Sequence, residues 1–162
     1  MTLPDAGTPP EHWRYFRHLD SLAAVPGEDT AAEAEAVTAV LRDPDRVMAE
    51  SAVVTHLDRR AAGLLADDAF TAWARVMSGV LTGRAFPELR LREWSLLMAV
   101  TRGEPWSPAE LTGSSDWCQR TAVRLLTSHE ALELLAADAR TRRVRNAAAD
   151  RLRRRPVASD TP

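Results

Sequence analysis

One small pattern occurs twice in the last third of the chain, 26 positions apart. Cys118-Gln-Arg-Thr-Ala122-Val-Arg-Leu-Leu126 and Val144-Arg-Asn-Ala-Ala148-Ala-Asp-Arg-Leu152 each carry an apolar residue, an alanine and a leucine at four-residue spacing. That spacing puts the three side chains on one face of a helix. A further helical run, Ser128 to Asp138, separates the copies. A helix with such a stripe buries it against a neighbour, and a repeated pair buries it by stacking on the next pair. The pattern predicts an all-α fold, a short α-solenoid or helical bundle built of antiparallel helix pairs.

Helix punctuation extends the reading along the chain. A first helix is expected from Pro10 to Ala24, with Trp13, Phe16, Leu19 and Leu22 or Ala23 as its stripe, before Val25–Asp29 breaks it. Thr30-Ala-Ala-Glu33 reads as a capping box for a helix to Arg42. Asp43-Pro44 opens the next, to about Leu57 or Arg60. Asp67 caps one ending at Gly83, Pro87 opens one to Arg102, and Gly103 closes it. Ser107-Pro-Ala-Glu110 starts a short helix, Ser115 the first repeat helix, Thr127-Ser-His-Glu130 the next and Thr141 the last.

About nine helices result, and no stretch alternates with period two. Short loops pair them as 30–42 with 44–59, 67–82 with 88–102, 107–112 with 116–126, and 129–138 with 141–155. Residues 10–155 are expected to form one repeat-like domain. Proline-rich residues 1–9 and the polar tail 156–162 are expected to be flexible.

Arg143-Val144-Arg145, Ala148 and Leu152, preceded by Leu132, Leu134 and Leu135, resemble a HEAT-like repeat or its leucine-rich-variant relative. Trp117-Cys118, Arg120, Ala122 and Leu126 repeat the motif one unit earlier, and Asp43-Pro-Asp-Arg-Val47-Met48 echoes its opening. Residues 61–106 lack it. The resemblance implies that the alanine allows close helix approach and that the array presents a surface to another protein.

A rival reading takes residues 88–146 as a winged helix that binds DNA. Residues 117–126 would then be the recognition helix, Gln119, Arg120 and Arg124 would meet bases or phosphates, and a β-ribbon would run between Leu134 and Val144. Against it, Glu130–Ala137 and Asn146–Arg154 are rich in the best helix formers. A small-molecule enzyme or carrier with a helical pocket is a third reading.

Composition narrows the function. No apolar run approaches the roughly 18 residues of a membrane span, and the N-terminus lacks a secretory pattern. The single cysteine fits a reducing compartment, so a cytoplasmic location with no membrane partner is expected. All 21 basic residues are arginine, which GC-rich codon usage explains. The charge is uneven: residues 1–60 carry 11 acids against 6 arginines, and residues 113–162 carry 10 arginines against 6 acids. The positive end fits an acidic partner protein better than wholesale nucleic-acid binding.

No catalytic, metal or cofactor motif stands out, so an interaction module is favoured over an enzyme. His56 reads as a helix C-terminal cap and Cys118 as a buried structural thiol. Trp73 and Trp94 fall on core stripes, while Trp13, Tyr15 and His18 offer a second docking face. The partner-binding residues expected are Trp106 and Trp117 as aromatic anchors, with Arg120, Arg124 and Arg145 as a polar rim.

Overall fold

The computed structural model describes residues 10–154, so the expectations for residues 1–9 and 155–162 lie outside the described residues. Among the described residues there are nine helices and no strand. They are α1 (Glu11–Ala23), α2 (Thr30–Leu41), α3 (Arg46–Leu64), α4 (Phe70–Val80), α5 (Ala85–Arg102), α6 (Pro108–Gly113), α7 (Asp116–Leu125), α8 (His129–Asp138) and α9 (Arg142–Arg154). The chain divides into two compact units after Leu91, within α5.

Local side-chain caps start several of the helices, because the first N–H groups of a helix have no partner within it. Ser107, Ser115 and Ser128 cap α6, α7 and α8 by accepting from Glu110, Cys118 and Ala131 N–H. Three caps depart from expectation: α4 starts after Ala69 with no side-chain cap, Asp67 accepting only from Ala69 N–H, and two others shift in register. Asp29, not Thr30, caps α2 by accepting from Ala32 N–H, which leaves Glu33 out of any capping box. Asp45, not Asp43, caps α3, and Asp43 instead receives the Asp45 N–H and the side chains of Arg14 and His18. Gly83 and Gly103 adopt φ of +81° and +68°, the left-handed turn that glycine makes without strain after a helix.

In the first unit α1 packs on α3 and α2, and α2 packs on α3 and α4. α4 thus takes α2 as its partner, whereas the sequence pairs it with 88–102. Phe70 and Trp73 are buried and meet edge-on at 5.6 Å, and Val37, Val53, Leu57 and Met77 are buried in the same unit. On α1 only Leu22 of the expected stripe is fully buried, and Trp13 and Phe16 are 62% and 60% exposed. The cause is polar docking. Arg14 and His18 hold Asp43, and the Tyr15 hydroxyl meets Thr55 Oγ1 at 3.0 Å, so the face of α1 that touches α3 is not its apolar one.

In the second unit α6 and α7 form one pair and α8 and α9 another, with α6 on α8 and α7 on α9. Both copies of the repeated stripe point inward: Cys118, Ala122 and Leu126 are buried, as are Val144 and Ala148, with Leu132 and Leu135 between them. Leu152, near the end of α9, is half-buried. Residues 134–138 and 142–146 are helical, so the β-ribbon of the winged-helix reading is not formed.

Cys118 has no exposed surface and faces this core. Its thiol should react slowly with an alkylating reagent in the native protein and quickly after unfolding, because burial denies the reagent access to the sulfur. Rapid, pH-dependent alkylation of the folded chain, read by mass spectrometry, would contradict this packing.

Candidate functional site

The stacking of α7 on α9 leaves a groove of about 400 Å³ along their shared edge. Its apolar lining is Val123, Val144 and Ala147, with the half-buried indole of Trp117. Arg120, Arg124 and Arg143 also line it, and among the described residues no carboxylate does. All three arginines are exposed and make no ion pair among the described residues. Neighbouring arginines are engaged: Arg140 lies near Asp116, Arg145 and Arg151 donate to backbone carbonyls, and Arg153 pairs with Asp150.

The elements behind the groove are fixed by buried polar groups. Glu93, 5% exposed, accepts from Ser115 N–H at 2.8 Å and from its hydroxyl at 2.9 Å, which anchors the start of α7 to α5. Trp117 then meets the buried Trp94 edge-on at 5.4 Å, which holds one side of the indole against the core. Gln119 has no exposed surface; its amide donates to the Leu111 and Thr112 carbonyls and accepts from Arg140 N–H at 2.9 Å. One side chain therefore links α6, α7 and the turn into α9. Gln119 cannot contact bases as the winged-helix reading requires, since its polar atoms are spent inside the protein.

Of the expected partner-binding residues, the structure brings Trp117, Arg120 and Arg124 together in this groove. Trp106 is half-buried in the loop before α6 and lies outside the groove lining. Arg145 is half-buried with its guanidinium on the Ala139 carbonyl at 2.6 Å, where it closes the turn between α8 and α9. Charge and aromatic content in the sequence do not single out Arg143 or Thr121 as site residues, although both line the groove. A signal for Arg143 exists, because it precedes the stripe valine as Trp117 precedes Cys118, so stacked repeats bring the two positions to one edge.

A second polar cluster lies in the first unit. Glu33, 1% exposed, accepts from His56 Nε2 at 2.7 Å, Trp73 Nε1 at 3.0 Å and Arg60 Nε at 3.1 Å. Burial alone would raise its pKa, but these hydrogen bonds and the Arg60 charge lower it to about 2. An ionised carboxylate only accepts, so Nε2 carries the imidazole proton. His56 lies inside α3 rather than at its end, which corrects its reading as a C-terminal cap. His56 Nδ1 has neither a partner nor contact with solvent. The carboxylate–imidazole pair ties α2, α3 and α4 together as a strut and lines a small pocket of about 80 Å³ with Leu22, Val25, Arg59 and Arg60. No family model, curated protein or solved structure matches this chain.

Proposed function

We propose that the chain is a helical binding module whose α7–α9 groove takes an acidic segment of another protein. One observation carries this reading: three arginines with no ion pair among the described residues, and an indole, surround an apolar floor in one depression that no described carboxylate lines. Arg and Trp are the side chains that most often dominate interfaces, and a floor already built between packed helices loses little entropy on binding. The placement of α6 on α8 and α7 on α9 supports reading the second unit as a short array of HEAT-like pairs, a scaffold suited to presenting such a groove.

Nucleic acid is the competing partner, since arginines also take phosphates. The absence of a wing among the described residues and the inward commitment of Gln119 favour protein. Fluorescence titration with labelled polyglutamate and with random duplex DNA, at low and moderate salt, separates the two. Polyglutamate should bind saturably, and Arg120→Ala, Arg124→Ala or Trp117→Ala should each weaken it about tenfold, some 1.4 kcal/mol. Submicromolar, steeply salt-dependent duplex binding lost in the same variants would transfer the groove to DNA. No binding of either would remove the proposal.

A further inference from the structure

We infer that the group this groove is built to receive is a phosphate monoester carried on the partner segment, rather than the carboxylates of aspartate or glutamate alone. This rests on the protein-binding reading above and goes beyond it by naming the chemistry that triggers binding. The first observation is the charge in the groove. Arg120, Arg124 and Arg143 place three formal positive charges around one depression without a counter-ion among the described residues. A carboxylate occupies one guanidinium fork and supplies a single negative charge. A phosphate monoester brings close to two charges at pH 7 and three acceptor oxygens, enough to engage several forks at once.

The second observation is independent of charge. Thr121 is 4% exposed and lines the same groove, yet its hydroxyl makes no hydrogen bond among the described residues. Thr38, Thr55, Thr101 and Thr112 also sit in helices, and each donates its hydroxyl to the carbonyl one turn back. Thr121 therefore keeps its hydroxyl free of intrahelical bonding at the groove, and that oxygen is not among the sealed, unpartnered polar atoms, so it is open to an incoming group. A phosphoryl oxygen entering between the arginines would accept from it. The indole of Trp117 and the apolar floor then cover the carbon part of the modified residue, as its polar end meets the forks.

The test uses peptides of one sequence with serine, phosphoserine or glutamate at the centre, a matched set with tyrosine and phosphotyrosine, and inorganic phosphate, titrated calorimetrically into the full chain. At least one phosphopeptide should bind about tenfold or more tightly than its unmodified form and than the glutamate peptide. Thr121→Val should reduce phosphopeptide affinity several-fold and leave the glutamate peptide unchanged, and Arg143→Lys, which keeps charge but loses the fork, should erase most of the preference. Circular dichroism of both variants should match that of the parent chain. If glutamate and phosphorylated peptides bind equally, the phosphate assignment fails and the acidic-segment reading stands. If no peptide binds, both fail. If inorganic phosphate alone matches the best phosphopeptide, the groove holds the free ion, and the assignment to a partner segment is overturned.

Discussion

Glu33→Ala should destabilise the chain by about 3–5 kcal/mol, the penalty for stripping one partner from a buried charged cluster. The substitution leaves Trp73 Nε1, His56 Nε2 and Arg60 Nε without the acceptor they share. It also leaves Arg60 without its carboxylate. Since small domains are stable by only about 5–15 kcal/mol, Glu33→Ala is expected to lie near the unfolding threshold. Glu33→Gln keeps an acceptor oxygen and the shape, and should lie between the two.

The same cluster sets an acid limit. Glu33 titrates at about 2 in the folded state against an ordinary 4.5. The stabilisation is therefore complete above pH 4.5 and lost as pH falls from there through 2, up to about 3 kcal/mol. The Asp43 carboxyl is also lowered, chiefly by the His18 hydrogen bond, and adds loss in the same direction. Urea titrations followed by circular dichroism from pH 7 to pH 3 measure the slope, which Glu33→Gln should flatten. An unchanged midpoint for Glu33→Ala, or a slope indifferent to Glu33, would contradict the strut.

Gln119→Leu should cost roughly 2–4 kcal/mol despite being close in volume and more apolar. It strands the Thr112 carbonyl and the Arg140 N–H and removes one donor from the Leu111 carbonyl, which Ser114 still serves, and each polar group left unmade costs about 1–3 kcal/mol, part of which local rearrangement and water recover. The effect should reach the groove, because Gln119 fixes α7 against the turn that begins α9. Gln119→Leu should therefore weaken polyglutamate binding although the residue has no exposed surface. A fully stable variant with unaltered binding would remove Gln119 from the account.

The boundary between what is readable in the chain and what is not follows the range of the forces. Ser107, Ser115 and Ser128 mark their helices because a cap acts within a few residues of itself. The stripe Cys118, Ala122, Leu126 and its copy specify burial because periodicity fixes a face. Glu33 and His56 each have a satisfying local account, a capping box and a helix-end cap. Their true partnership spans 23 residues and depends on how α2 meets α3. Trp13 and Phe16 mislead for a related reason: their spacing suits a buried stripe, but Arg14, Tyr15 and His18 orient α1. Trp117, Arg120 and Arg124 were legible as a candidate surface through charge and aromatic content. Arg145 was not separable from Arg143 by those criteria, since only the turn geometry decides which guanidinium is spent on Ala139.

An amide chemical-shift footprint tests the central claim most directly. Isotope-labelled chain is titrated with the tightest-binding acidic or phosphorylated peptide, and shifts are followed residue by residue. The account predicts the largest shifts over 117–124 on α7 and 143–147 on α9, with the Trp117 indole N–H among them, and their loss in Arg120→Ala/Arg124→Ala. Perturbations confined to residues 10–91, or undiminished in that double variant, would contradict it.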